Sequence, residues 1–525
     1  MKSLKLLLPV LLFCFHNSFA QQYDLVVSNG TIYDGSGKKS YKADIGIKDQ
    51  KIYAIGNLST AIAKRTIDAK GLAVSPGFID LHTHIESIHL TPAAESHVRQ
   101  GITLALGGPD GGAPWPFGKY LDDLAKKPLG LNVTFLTGHN TIRKNIMNLD
   151  NRAPTAEELE QMKKQVAQSM QEGAFGISTG LKYLPGTFSD INEVIALSKI
   201  ASSYGGFYTS HLREEGLGLI AAVSEAILIG REANIPIVLT HHKVVGKPSW
   251  GNSKKTLEMV DSANKAGLDI QVDQYPYTAS YTSISILIPS WSLAGGNKNF
   301  KERIANPGLR DSIKKEIIYN IMTDRGAGDI SRIQFSKVSW MKELEGKTLA
   351  DWCAIRKLQP SPENGADLVI EAESNGGSGM IFHAMDDADV NRIMKHPKTM
   401  IASDGRLSQP GDGHPHPRAY GTFPRVLGVY VREKKLLTLT EALHKMTGLP
   451  ALRMGLKDRG LLNKGYYADI VIFDPAIVKD RSTFDSPHQY PDGIQYVIVN
   501  GVITVDKGKF TANRGGEVLY GPGKK

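Results

Sequence analysis

The chain is short of three things, and each shortage excludes something. Cysteine is nearly missing: Cys14 and Cys353 are the only two in 525 residues, and Cys14 sits inside an apolar N-terminal run. No internal disulfide is therefore available to the mature chain, and any metal site must be assembled without paired thiolates. Long apolar stretches are missing too, since even the run at 6–15 is too short to cross a bilayer. Charge of one sign is modest. Lys and Arg number 62 against 53 Asp and Glu, a net +9 that falls to +7 without Lys2 and Lys5. No basic run is interleaved with aromatics, which argues against nucleic acid as a partner.

The first twenty residues read as a processed leader. Lys2 and Lys5 precede the apolar run, and Ser18-Phe19-Ala20 forms a small-x-small site before Gln21. Export to the periplasm or beyond is the expectation, and bulky Phe13 ahead of Cys14 argues against a lipid anchor. About 505 residues then remain, too many for one hydrophobic core. Short strand-like runs broken by turns occupy 21–70, and a matching set occupies 451–525, with Asn500-Gly501 between its last two strands. These flanks predict one small β-sandwich built from both ends of the chain.

Between them, over 71–450, apolar β-type runs alternate with helix-period segments, the pattern of repeated βα units. Eight strand candidates fall at 77–81, 102–106, 132–136, 174–178, 206–210, 236–240, 269–273 and 399–402. They predict an α/β chain whose middle closes into a (β/α)8 TIM-like barrel, with its chemistry at the C-terminal ends of the strands. The stretch at about 282–379 is too long for a connection and predicts an insertion before the last strand.

Histidine is what those strand ends supply. Gly77-Phe78-Ile79-Asp80-Leu81-His82-Thr83-His84 runs an apolar strand into two histidines one residue apart. Residues two apart on a strand share a face, so His82 and His84 can reach one metal ion. His211 follows the fifth strand candidate, His241 the sixth and Asp404 the eighth. Imidazole nitrogen with carboxylate oxygen suits Zn2+, one or two ions per chain, and an open position on such an ion activates water for hydrolysis. His242 adjoins His241, points to the opposite strand face and reads as structural.

The opening 71–84, the closing Gly460-Leu461-Leu462-Asn463-Lys464-Gly465 through Pro475, and these five positions resemble the amidohydrolase superfamily. More specifically, Ser178-Thr179-Gly180-Leu181, Ser210-His211-Leu212-Arg213-Glu214-Glu215-Gly216, Thr240-His241-His242-Lys243, Asp273-Gln274-Tyr275-Pro276-Tyr277 and Ser403-Asp404-Gly405 with His416-Pro417-Arg418 are similar to the N-acyl-D-amino-acid deacylase (D-aminoacylase) family. The match runs over nearly the whole mature chain. The resemblance implies zinc-dependent hydrolysis of an N-acyl-D-amino acid to a carboxylate and a free D-amino acid. It puts zinc on His82, His84, His211 and His241. Asp404 is implied as a further ligand and as the general base that takes a proton from attacking water and passes it to the leaving amine. Lys243 and Arg418 are implied to hold the substrate α-carboxylate. Tyr275 and Tyr277 are expected either to orient the scissile carbonyl or to pack beneath the insertion, and Arg213 and Glu215 to pair with each other.

One departure from the family pattern bears on the site. The family commonly places a cysteine ligand after the second strand, where this chain reads Leu106-Gly107-Gly108-Pro109-Asp110-Gly111-Gly112. Lys182, carboxylated into a bridging carbamate as in other amidohydrolases, or Asp110 as a plain carboxylate, can supply the missing anionic oxygen. The Lys182 version opens a second reading, a dipeptidase or cyclic-amide hydrolase with a carbamate-bridged binuclear site. In either case the expected partner is a small N-acyl amino acid or dipeptide, with no nucleic acid and no stable membrane insertion.

Overall fold

The computed structural model describes residues 22–524; the expected leader and cleavage site lie outside the described residues. Eight parallel strands follow in chain order: Phe78–Asp80, Ile102–Gly107, Asn132–Phe135, Gly176–Gly180, Phe207–His211, Ile237–Leu239, Ile270–Gln274 and Thr399–Ile401. They are buried along their length because a barrel covers both faces. All six residues of the second strand are buried. Leu104 and Leu106 join Ile79, Val238 and Met400 inside the barrel, while Ile102 and Ala105 face the helices outside.

Two seams complete the ring. A short Thr137–Gly138 strand continues the third strand and pairs with Ile177 and Ser178 of the fourth. Between the eighth and first strands, Asp404 N donates to His82 O at 2.9 Å and His84 N to Gly405 O at 2.8 Å. The barrel thus closes through the backbone of the predicted metal ligands.

The helices outside carry their own local instructions. Ala156–Glu172 begins at a Thr155 capping box with Glu158 and stops at Gly173 with φ 113°, a left-handed position that glycine fills at least cost. Its buried Met162, Val166, Ser169 and Met170 recur at helical spacing on the face toward the barrel. No helix among the described residues is long and apolar enough to cross a membrane.

After the seventh strand the chain leaves on Ser280–Ser283 and returns on Gly379–Phe382, which pair antiparallel, with Ile333–Lys337 on the outer side of the returning strand. Helices Asn297–Ala305, Pro307–Thr323, Leu349–Ile355 and Pro362–Ser374 complete this inserted unit. Phe300, Ile317, Phe335, Trp352 and Phe382 give it a separate core.

Both ends of the chain build one nine-stranded sheet. Gln22–Ile32 sits between Tyr41–Lys48 on one side and Ile62–Asp68 and Ala73–Pro76 on the other, and Ala73–Pro76 pairs with Ile470–Phe473 from the far end. Ile494–Val499 and Val502–Asp506 form a hairpin whose Asn500 (φ 48°) and Gly501 (φ 78°) take the left-handed pair that twisted two-residue turns require. A polar cluster ties this sheet to the barrel floor. Buried Arg459 bonds Asp469, Asn500 (2.7 Å) and Glu517 (2.8 Å), and Asn500 Nδ2 donates to Asn132 Oδ1 of the third barrel strand at 2.7 Å. Removing one partner of a buried pair strands the other charge, at about 3–5 kcal/mol. Arg459→Ala is expected to lower stability by that amount, read as a lower urea midpoint. Arg65→Ala, which breaks the surface pair to Asp506, costs under about 1 kcal/mol.

Candidate metal centre

The site is assembled by five strand ends. His82 and His84 leave the first strand, Asp110 lies beyond the second, His211 ends the fifth, His241 lies just past the sixth and Asp404 just past the eighth. Three of these six adopt left-handed backbone: Asp110 (φ 54°), His241 (φ 36°) and Asp404 (φ 49°). Each such residue costs about 1–3 kcal/mol, held in place by surrounding structure. For Asp110 the holding is visible. Ser178 of the fourth strand accepts from Gly111 N at 3.1 Å and donates to Gly108 O at 2.6 Å, tucking the loop into the barrel mouth. Only glycine fits there. A Cβ on Gly108 would meet Leu136 O at 2.5 Å, one on Gly111 would meet Asn140 Oδ1 at 2.0 Å, and both residues have positive φ.

Asp110 is the hub. Its carboxylate oxygens lie 3.6 Å from His82 Nε2, 3.6 Å from His84 Nε2, 3.6 Å from His211 Nδ1 and 3.5 Å from His241 Nε2. Asp404 Oδ1 lies 3.2 Å from His84 and 3.6 Å from His82. Two overlapping donor groups result, His82–His84–Asp110–Asp404 and Asp110–His211–His241, each with ligand atoms within 4.8 Å of one another and sharing Asp110. His82 Nε2 and Asp110 Oδ1, which face each other across the cluster, are both buried without a hydrogen-bond partner. Nitrogen and oxygen donors aimed at one point and left unsatisfied fit a borderline divalent cation.

Electrostatics points the same way. Burial alone would strip the proton from His82, yet Asp110 and Asp273 hold its pKa well above the ordinary imidazole range. Burial likewise opposes ionisation of Asp110, and His241 and His82 more than offset it, driving that carboxyl well below its usual value. Asp273 stands behind the cluster, with Oδ2 3.5 Å from His82 Nδ1 and Oδ1 accepting from His241 N at 2.6 Å. A carboxylate on the far side of a ligating imidazole fixes its tautomer and raises its basicity.

The remaining sequence-derived candidates divide. Lys243 lines the cavity over the cluster, with Nζ 2.5 Å from Glu215 Oε1 and 2.6 Å from His241 Nδ1. Arg418 is buried and pairs with Asp404 Oδ2 at 2.7 Å, facing a smaller adjoining cavity of about 310 Å3. Lys182 is not brought to the cluster, which corrects its expected role as a carboxylated bridge: its ammonium pairs with Glu214 at 2.7 Å and lines a separate cavity under the insertion. The position expected of it belongs to Asp110. Tyr275 and Tyr277 do not reach the main cavity either. Tyr275 is buried against Arg418, and Tyr277 against Arg425 and Phe484. Arg213 pairs with Glu225 at 2.8 Å rather than with Glu215. Glu215 is instead clamped by Lys243 and by Arg325 at 2.9 Å, the latter reaching in from the insertion. His242 faces away and bonds Thr256 at 2.8 Å, as its strand phase predicts.

Asp273 and Glu215 stood inside motifs that marked them as charged, although their partners were not legible. Arg325 carried no signal at all. Over this constellation lies a cavity of about 670 Å3, roofed by Tyr281–Ser283 of the insertion.

A barrel whose strand ends gather four imidazoles around a carboxylate, with a β-sheet made from both termini, defines the metal-dependent amidohydrolase class. A model described as amidohydrolase family matches residues 352–505. The D-aminoacylase of Alcaligenes xylosoxydans xylosoxydans is 36% identical over 96% of this chain and 98% of its own length. The N-acyl-D-glutamate deacylase of the same organism is 37% identical over 92% and 93%. Among solved structures, the N-acyl-D-glutamate deacylase from Bordetella bronchiseptica, complexed with zinc and a phosphonate mimic of the tetrahedral intermediate, superposes with a TM-score of 0.82 at 33% identity, covering 95% of this chain and 100% of that one. A D-aminoacylase described by a binuclear metal centre, with one-metal activation and second-metal attenuation, gives 0.81 at 34% over the same shares. The chain belongs to the N-acyl-D-amino-acid deacylase (D-aminoacylase) family.

If Asp110 is the shared anionic ligand, Asp110→Ala lowers zinc content per chain measured by mass spectrometry, and Lys182→Ala leaves it at the wild-type value. A bound cation must also displace the protons that Asp110 and Asp273 hold on His82, so zinc affinity rises with pH and binding releases protons. Titration calorimetry at pH 7 in buffers of different ionisation enthalpy is expected to show about one proton or more released per ion.

Proposed function

We propose that this chain is an exported, zinc-dependent deacylase that hydrolyses the amide bond of N-acyl-D-amino acids to a carboxylate and a free D-amino acid. The observation that carries the reading is the shared-carboxylate cluster with Asp404 beside it at the mouth of the barrel. His82, His84, Asp110 and Asp404 would hold one ion, and Asp110, His211 and His241 a second. Zinc bound there supplies Lewis acidity, which polarises a carbonyl and lowers the pKa of water.

The chain's own residues do the rest. Asp404 is kept ionised, well below the usual carboxylate range: burial raises its pKa, and Arg418, His84 and His82 more than reverse that. That ionised carboxylate, with Oδ1 3.2 Å from His84 at the cluster, is placed to take a proton from the attacking water and pass it to the leaving nitrogen. Arg418 also fixes which Asp404 oxygen faces the imidazoles, since the guanidinium occupies Oδ2 while Oδ1 lies toward His84.

For the substrate α-carboxylate we assign Lys243, which lines the main cavity, and Arg418, which pairs with Asp404 at the adjoining one, both cations suited to a carboxylate. Burial pushes the Lys243 ammonium below its usual pKa while Glu215 opposes, so an incoming carboxylate that shares this cation also stabilises its charge. The relatives named for their D-configured substrates support D chirality. Export rests on the leader-like residues 1–20 and is tested by N-terminal sequencing of the secreted or periplasmic protein, which is expected to begin at Gln21.

The direct test is a panel of paired D and L N-acetyl amino acids with the zinc-reconstituted enzyme, in which hydrolysis confined to the D series is expected. Turnover of the L series alone, or of neither, refutes the proposal. Asp404→Asn, which keeps the shape and removes the base, is expected to lower kcat/KM by about 10^2–10^4.

A further inference from the structure

In an eight-stranded ring the second strand stands across from the sixth. The Lys and Arg side chains of the active-site mouth all belong to the far half: Lys243 follows the sixth strand, Arg325 lies in the insertion after the seventh, and Arg406 follows the eighth, with Arg418 beyond it in the adjoining cavity. Across from them the cavity is walled by Pro109, Ala113, Pro114 and Trp115 of the loop after the second strand and by Tyr120 of the next helix, Phe117–Ala125. Apart from Asp110 at the metal cluster, no residue this segment gives to the cavity is charged; Glu86 and His89, which follow the first strand, line the cavity beside Tyr120.

The wall is built and anchored. Thr141 Oγ1 accepts from Ala113 N at 3.0 Å and donates to Ala113 O at 3.2 Å. Tyr120 donates its hydroxyl to Glu86 O at 2.8 Å and sets its ring edge-on to Phe135, 5.3 Å between centroids. Trp115 is half-buried and packs against the main core. An apolar wall held rigid in a cavity of about 670 Å3 is a preformed site for an apolar group, in the size range that encloses drug-sized ligands. An acetyl group would leave most of it unfilled.

From this division we infer that, on the deacylase reading above, the wall from Pro109 to Tyr120 is the acyl subsite and that it takes a bulky apolar acyl group, aromatic or of medium chain length. With the α-carboxylate on the cations of the far half and the scissile amide over the metal cluster, the acyl chain is the part of the substrate left to face Trp115. Each methylene buried there adds roughly fourfold to transition-state binding.

The test compares kcat/KM of the zinc-loaded full chain for N-acetyl, N-butyryl, N-hexanoyl and N-phenylacetyl derivatives of one D-amino acid. The expected result is a rise of about tenfold or more from acetyl to hexanoyl and phenylacetyl. Trp115→Ala is expected to lower the phenylacetyl-to-acetyl ratio by about tenfold. Gly112→Leu should do the same by filling the space: a Cβ on Gly112 meets nothing closer than Pro109 O at 3.8 Å, so the backbone tolerates the side chain. Calorimetry of acetate and hexanoate binding reads the pocket without turnover, with hexanoate tighter in the wild type and the difference lost in both variants. A flat or falling chain-length series, or equal affinity for the two carboxylates, overturns the acyl subsite. Inactivity on every acyl-D-amino acid, with hexanoate still bound more tightly, overturns the deacylase reading and leaves the pocket standing.

Discussion

One buried carboxylate organises this molecule. Asp110 is within 3.6 Å of nitrogen atoms from four histidines on three different strand ends, and those groups are largely removed from water. Stripping a carboxylate and several imidazoles of solvent is tolerable only when they compensate one another or share a cation. The geometry that achieves this is demanding, because no two neighbouring strands can bring all five side chains to one point. A closed ring of strands can, since its C-terminal ends converge on a single mouth. The ring in turn depends on the site: its last seam is the pair of hydrogen bonds linking His82 to Asp404 and Gly405 to His84. Fold and centre are therefore one construction, and the left-handed conformations of Asp110, His241 and Asp404 are strain that the surrounding barrel imposes.

How much of this the sequence disclosed follows from where each residue sits. His82 and His84 were legible because a strand has a period of two and their spacing falls on it. His211, His241 and Asp404 were legible because an apolar run ending in a lone ligand type is the signature of a barrel strand end. Asp110 stood in a glycine-rich loop with no periodicity, so residue type alone did not set it ahead of Lys182. The choice was made by Ser178, a fourth-strand hydroxyl that pins the loop inward, and by Glu214, which draws Lys182 away. The insertion could be bounded from its length, and its strands open at Ser280 and close at Phe382. Its gift of Arg325 to the site could not be foreseen, because the contact depends on how the unit folds back over the barrel.

Glu215 shows the same lesson in electrostatic form. In the string Arg213-Glu214-Glu215 the nearest opposite charge in sequence is two residues away, but the fifth strand ends at His211 and the chain beyond it bends, so strand phase no longer decides which side chains meet. Arg213 turns outward to Glu225 on the flanking helix, and Glu215 turns inward to Lys243, Arg325 and the histidines. Its carboxyl is fully buried, and the cations around it outweigh the burial and drive its pKa well below the ordinary value. Glu215 thereby ties the fifth strand, the loop after the sixth and the insertion into one charge network.

The loop after the second strand bears two properties that are usually kept apart. Its Asp110 sits among the metal-binding imidazoles, and its Ala113-Pro114-Trp115 segment shapes the cavity a few residues later. Between them lie Gly111 and Gly112, the first with no room for a Cβ beside Asn140 and the second free of close neighbours. Because the carboxylate is held by Ser178 and the wall by Thr141 and Tyr120, the two halves of the loop are anchored to different elements. Side chains on the wall can therefore be exchanged without moving the carboxylate. A change at Gly108 or Gly111, in contrast, would shift the hub of the cluster and with it every charge that depends on Asp110 for compensation.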